Sequence, residues 1–273
     1  MENLNSWEPT LRLFAFTVSL FLFAMLEVGL TCRPRRPLRE HVPNIVLLVT
    51  NTTLIRLIPM TSLVGLGFYV SESSIGLTNL LTLPFWLALT VAFVALDFVT
   101  YLQHRLLHWV PLLWRMHRVH HSDPNFDLST GVRFHPGEIL LSYALKAGAI
   151  LLLGASAEAV ICYEIALSSS ALFTHANVRF PPIFDRALRY AIVTPDMHRI
   201  HHSVDSVEHN HNFGFFLVFW DRVLGSYMNH PKSSPELMDI GLHGFPRPGS
   251  LPNLLTHPMS RAAMRAEEAD GND

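Results

Sequence analysis

Eight histidines fall in three tight clusters: His104-Arg-Leu-Leu-His108, His117-Arg-Val-His120-His121 and His198-Arg-Ile-His201-His202. Residues at i, i+3 and i+4 of a helix share one face, so each cluster aims two or three imidazoles at a common point. Neutral imidazole is a good ligand for zinc, iron, copper and nickel. With 16 histidines in 273 residues, one His-x-x-His-His arises by accident about 0.05 times in a chain of this length, and two far less often. Eight imidazoles exceed the needs of one metal, since a structural zinc takes four ligands and a catalytic one three. Two metal ions fit better. The carboxylate two-iron design of helix bundles needs two Glu-x-x-His motifs, and only Glu208-x-x-His211 matches. His-Glu-x-x-His is absent, which argues against a zinc protease.

The elements that must position these clusters read as membrane helices. The chain is 49% hydrophobic and only 15% charged, against about 25% charged in soluble proteins, and its mean hydropathy is +0.27. A net charge of −2 offers no basic field for nucleic acid. Cys32 and Cys162 stand apart, without a Cys-x-x-Cys, so neither a disulfide framework nor a thiolate zinc site is supported. Apolar stretches at Leu13 to Leu30, Leu80 to Leu102, Ile139 to Gly154 and Ala155 to Phe173 approach the roughly 20 residues a bilayer core demands. Ile45 to Val70, interrupted by Arg56 and Pro59, reads as one kinked helix or a broken pair. The first stretch lacks a basic n-region and a small-residue cleavage site and is read as a retained span. The expected fold is therefore all-α: an integral membrane bundle of four to five spans with a histidine-rich helical cap.

Arg33, Arg35, Arg36 and Arg39 crowd the loop after the first span, which places that loop in the cytoplasm. Counting forward over five crossings brings every histidine cluster to the same cytoplasmic face. Pro111 should end or bend the helix carrying the first cluster, so that the second folds back beside it. The tail from Arg179 is more polar and should cap the helix ends, with Ala262 to Asp273 frayed. This divides the chain into an N-terminal membrane region (1–79), a histidine-bearing unit (80–230) and a C-terminal tail (231–273). Compact length points to a bacterial inner membrane.

The clusters and their surroundings resemble the fatty acid hydroxylase / sterol desaturase superfamily of membrane di-iron oxygenases. Beyond the clusters, Asp97, Arg133-Phe-His135-Pro-Gly-Glu138, Phe173-Thr-His175-Ala-Asn177, Thr194-Pro-Asp-Met-His198, Asn212-Phe-Gly214 and Trp220-Asp-Arg-Val-Leu-Gly225 look like family landmarks in family order. The likeness covers about Leu80 to Tyr227. The family's Asn-Tyr-Gly stands here as Asn212-Phe213-Gly214 and lacks the phenol hydroxyl. The resemblance implies a ligand set of His104, His108, His117, His120, His121, His198, His201 and His202, and it promotes His175, a lone histidine by local pattern, to a ninth ligand. It also implies two iron ions, with zinc able to occupy the site in preparations.

Other groups are weighed less sharply. His135, ahead of Pro136, is read equally as a ligand or as an interfacial hydrogen-bonding residue. Arg105, Arg118 and Arg199 each follow the first histidine of a cluster and are expected either to pair with Asp97, Asp123 or Asp196 and so orient ligands, or to meet lipid phosphates. Asn212 is carried as a further candidate for orienting ligands. His209 and His211 read as solvated loop residues, and His41, His230, His243 and His257 as isolated ones. Lys146 and Glu164, within spans, read as a buried pair, and Glu158 as near the outer interface.

The implied reaction is O2-dependent hydroxylation or desaturation of a lipid entering laterally between the spans. Sterol, fatty acyl, carotenoid and ether-lipid substrates fit equally. The sequence has no haem-attachment motif, flavin fingerprint or fused redox domain, so the two electrons are expected from a separate ferredoxin, rubredoxin or cytochrome b5. The rivals are a lipid hydrolase using metal-activated water and a metal transporter. The latter fits less well because transport sites lie near the midplane, whereas these clusters fall beyond the span ends.

Overall fold

The computed structural model of the chain describes residues 2–58, 62–242 and 251–259. Among them the fold is helical, with three isolated β-bridges in place of any sheet. The elements that build the site are α1 (Glu2–Gly29), α2 (Val42–Leu57), α3 (Leu63–Ser73), α4 (Phe85–Trp109), α5 (Pro111–His121), α6 (Pro136–Leu153), α7 (Ala157–His175) and α8 (Pro195–His201). Among the described residues, four stretches are long and apolar enough to cross a bilayer: Trp7–Gly29 in α1 and the whole of α4, α6 and α7. Their outer faces carry large apolar side chains with nothing over them, such as Phe14, Phe21, Phe85, Trp86 and Leu152. That is the surface a membrane protein presents to lipid.

Of the two forms expected for the second stretch, the structure has the broken pair. Residues 45–70 form a broken pair, α2 and α3, neither long enough to span alone. The break follows from Pro59, which disfavours the helical region for the residue before it, and Ile58 is extended at ψ 119°. Together the two helices still carry the chain from one end of the bundle to the other. At the start of α2, Asn44 bonds Asp123 in the cap. Beyond α3, Gly76 meets Gly154 in the far hairpin, where a Cβ on Gly76 would lie 2.2 Å from the Gly154 nitrogen. That approach and a φ of 90° admit only glycine there.

The helix ends have local causes. Pro84 precedes α4 as its N-cap, and Val110, extended ahead of Pro111, closes it. The third span therefore runs Phe85–Trp109 rather than Leu80 to Leu102, and His104 and His108 remain on it. Pro136 and Pro195 occupy first-turn positions of α6 and α8, where a missing N–H costs nothing. Gly154, left-handed at φ 74°, ends α6. Along α4 the buried residues Leu96, Thr100, His104 and Leu107 recur at helical spacing and face inward. The C-terminal end of α1 is tied to that of α7 by Cys32 N–H to Asn177 O (3.1 Å) and Arg179 N–H to Leu30 O (2.9 Å). The ends of α1, α4 and α7 and the start of α6 share one face, over which α5, α8 and the described part of the tail fold. Leu254 in the described tail is buried with Leu47 of α2 and Val119 of α5.

Lys146 and Glu164, inside the spans, are paired. Lys146 Nζ donates to Glu164 Oε1 (2.7 Å), and Arg12 bridges Glu164 (3.3 Å) and Glu8 (2.7 Å), joining α1, α6 and α7. Removing one partner strands a buried charge, which is costly where water is absent. Lys146→Met is expected to destabilise the protein by about 3 kcal/mol, the lower end because Arg12 still faces Glu164. Most of the loss should return in the Lys146→Met/Glu164→Leu double variant, as measured by unfolding in detergent.

Candidate metal centre

The last two turns of α4 supply His104 and His108; α5, folding back after Pro111, supplies His117, His120 and His121; the end of α7 supplies His175; and α8 supplies His198, His201 and His202. The nine imidazoles fall into two groups. His104, His108, His117, His121 and His201 form one, and His120, His175, His198 and His202 the other, with the nitrogens of each group within 4.8 Å of one another. Helix geometry accounts for the division. In His-x-x-His-His, the i and i+4 side chains project about 40° apart, while i+3 lies about 100° from i+4. So His117 and His121 of α5 go together and His120 turns to the second group. In α8 the same pattern runs the other way: His198 and His202 join the second group and His201 the first.

The hydrogen bonds on the far ring nitrogens show what each group can hold. Nδ1–H of His104 donates to Phe213 O (2.7 Å), of His201 to His211 O (2.8 Å), of His175 to Ala171 O (2.7 Å), of His120 to Arg133 O (3.3 Å) and of His117 to Glu138 Oε1 (2.9 Å). A neutral imidazole carrying its proton on Nδ1 has a bare lone pair on Nε2. Yet His104 Nε2 lies 3.1 Å from His117 Nε2 and 2.9 Å from His201 Nε2, and His175 Nε2 lies 3.1 Å from His120 Nε2. In these three pairs neither nitrogen has a proton to give. Burial, reinforced by neighbouring imidazoles, pushes His120 and His201 well below the usual histidine pKa, which disfavours a second proton in the His175–His120 and His104–His201 gaps. His121 has no hydrogen-bond partner at either nitrogen and His108 has none at Nε2. Lone pairs converging in this way call for a cation. Two nitrogens each about 2.1 Å from a metal and at right angles lie about 3.0 Å apart, close to the spacings here. The residues therefore fit two metal ions.

Aromatic rings wall both groups from water. Phe213 packs edge-on against His104, His108 and His201, with centroids 5.1–5.6 Å away. Phe134 stacks on His120 at 4.5 Å and Phe126 lies 5.0 Å from His202. Eight of the nine imidazoles are buried and His108 is half-buried.

The remaining sequence candidates sort differently. His135 lies outside both groups: it caps α6 by accepting from Gly137 N–H (3.0 Å) and reaches Leu255 O (3.2 Å). Arg199 pairs with Asp196, donates to Val178 O (3.1 Å) and lies over the Phe126 ring. Asp97 instead accepts from the Trp220 indole (2.9 Å), and Asp123 takes Arg36 at 3.0 Å. Arg105 stacks on Trp109 at 4.1 Å. Arg118 is buried and faces His257, whose imidazole burial and that guanidinium lower to about 4. Asn212 clamps backbone, donating to Met197 O (3.0 Å) and Met228 O (2.9 Å). His209 is buried against Trp114 rather than solvated, whereas His230 is exposed; His243 falls outside the described residues. The hydroxyl missing at Phe213 leaves its tie to His104 intact, because that tie is the main-chain carbonyl.

Two carboxylates were not singled out from sequence. Glu138 holds His117, and Asp221 holds the loop around Phe213 through two backbone amides. Each sits inside a motif recognisable from the family likeness, Arg133 to Glu138 and Trp220 to Gly225, which was the available signal. Arg36, from the arginine-rich loop, is also structural: it is buried between Asp123 and Asp127.

The sequence profile described as Fatty acid hydroxylase matches residues 89–226. Among curated relatives, ornithine lipid hydroxylase OlsE of Rhizobium tropici is 35% identical over 180 residues, 65% of this chain and 52% of that protein. Alkylglycerol monooxygenase of Homo sapiens is 26% identical over 162 residues, covering 56% and 35%. Sphingolipid C4-hydroxylase sur2 of Schizosaccharomyces pombe is 29% identical over 146 residues, covering 53% and 49%. The matched part thus spans about half the length of the first and third of these proteins and about a third of the second. No solved structure matches the chain.

Proposed function

Because the chain belongs to the fatty acid hydroxylase family, we propose that it is a membrane-bound di-iron oxygenase that hydroxylates or desaturates a lipid at the expense of O2. The observation that carries this reading is the facing of Nε2 lone pairs whose imidazoles are already committed to donate at Nδ1. His104, His108, His117, His121 and His201 would hold one iron, and His120, His175, His198 and His202 the other. When bound, the pair supplies oxygen activation and the oxidising power to attack an unactivated C–H bond.

The chain's own residues supply the setting. Neutral imidazoles would add no negative charge to a bound ion and so would leave its positive charge undiminished. The carbonyls of Phe213, His211, Ala171 and Arg133 and the carboxylate of Glu138 fix ring orientation and tautomer. Phe126, Phe134 and Phe213 exclude water, which protects reactive species from side reactions. Residues 80–230 would form the catalytic unit, 1–79 its membrane anchor and 231–273 a C-terminal cytoplasmic tail.

A lipid substrate is supported by the spanning helices that carry the site and by the names of the relatives, which act on ornithine lipid, alkylglycerol and sphingolipid. We place the histidine face in the cytoplasm on the strength of Arg33, Arg35, Arg36 and Arg39 after α1, in a bacterial inner membrane as the Rhizobium relative suggests. There a ferredoxin, rubredoxin or cytochrome b5 would deliver the two electrons. The test compares lipid extracts of cells making the wild-type chain or the His120→Ala variant, grown in air. A lipid that gains one oxygen or loses two hydrogens only with the wild-type chain supports the proposal. A product that survives the substitution sinks it.

A further inference from the structure

His201 and His104 are both held by one loop, through the carbonyls of His211 (2.8 Å) and Phe213 (2.7 Å), and both belong to the five-imidazole group. What holds the loop is Asp221, fully buried in α9 (Phe219–Val223). Its Oδ1 accepts from Phe213 N–H (2.8 Å) and from the Ser226 hydroxyl (2.7 Å), and its Oδ2 accepts from Gly214 N–H (2.8 Å). Ser226 completes the clamp by accepting Asn212 N–H on its carbonyl (2.8 Å) and by bonding the Tyr101 hydroxyl of α4 (2.7 Å). Three successive loop amides are thus fixed from the Asp221–Ser226 turn. A Cβ at Gly214 would lie 2.8 Å from Asp221 Oδ2, so glycine is needed for this approach. Asn212 sits at a left-handed φ of 56°, a conformation that persists only where the surroundings enforce it. The four-imidazole group draws its acceptors from elsewhere, Ala171 O for His175 and Arg133 O for His120.

We propose that Asp221 is the positioning residue of the five-imidazole site alone: through the Gly214 amide it sets the Phe213 carbonyl that orients His104, and by holding Ser226, which fixes the Asn212 amide, it sets the His211 carbonyl that orients His201. This rests on reading both groups as metal sites, and the experiment separates the two claims. Apo full-length protein in detergent micelles is titrated with Co(II), and binding is followed by its visible d–d bands and by metal per chain. Wild type should take up two ions. Asp221→Asn, which replaces one accepting oxygen by a donor, should weaken one site by about 10- to 100-fold and leave the other at wild-type affinity. Ser226→Ala, losing one donor to the same carboxylate, should shift the same site in the same direction by less, and it keeps the test open if Asp221→Asn folds poorly. Two sites of unchanged affinity in both variants, or equal weakening of both sites, overturns the role of Asp221. A wild-type chain that takes up no cobalt overturns the metal reading itself.

Discussion

Replacing His121 by alanine should leave a folded protein that has lost one metal ion per chain and more than about 100-fold of its lipid-modifying activity, the upper end of what even indirect metal-site substitutions cost. His121 suits this test because neither of its ring nitrogens has a hydrogen-bond partner. Its removal breaks no hydrogen bond among the described residues, so a functional loss reports on the ligand role. Its ring stacks on His202 at 4.3 Å and lies 4.7 Å from His201, so it stands where the two groups meet. His135→Ala is the matching control. It removes an N-cap, which costs about 1 kcal/mol, from a histidine outside both groups, and metal content and turnover should stay near wild type. Metal per chain by elemental analysis and product by mass spectrometry read both variants.

Stripping the metal should destabilise the cap and make it acid-sensitive. Each ion present at about a thousand times its dissociation constant contributes about 4 kcal/mol to the folded state, and without it the Nε2 lone pairs of His104, His117 and His201 face one another uncompensated. In the metal-free protein, burial holds His120, His121, His198, His201 and His202 below their usual pKa. The unfolded chain binds protons at those positions near the ordinary histidine pKa of about 6.5, and the native state does not. Stability should therefore be level above about pH 6.5 and fall steadily as the pH drops below it. Thermal unfolding in detergent, with and without a chelator across this range, provides the check. A metal-free protein as stable at pH 5 as at pH 7.5 would count against the buried neutral imidazoles.

The parts of this architecture legible in the sequence were those with local causes. The apolar length of α4, α6 and α7 and the break at Pro111 follow from composition and from proline's effect on the preceding residue, and the structure has them, with α4 carrying the first cluster and ending at Trp109. The i, i+3, i+4 spacing marked eight histidines without any partner in view. His175 stood alone in its segment, and only the family likeness drew attention to it. The division into five and four was not legible, because it depends on how α5 and α8 are rotated about their axes when packed. Nor were the supporting groups: Glu138 is 21 residues from His117 and Asp221 is 117 from His104, and the bonds that tie them exist only in the folded chain. Asp97 and Asp123 take partners from distant segments, the Trp220 indole and Arg36, which local spacing does not reveal.

Oxygen dependence decides the di-iron oxygenase reading. The purified iron-loaded chain, reconstituted in nanodiscs with bilayer lipid and a chemical or protein reductant, is assayed with O2 admitted or rigorously excluded. Modified lipid should form only when both O2 and reductant are supplied, with O2 consumed in step with product. Lipid turnover under strict anaerobiosis would rule out the oxygenase and point to hydrolysis by metal-activated water.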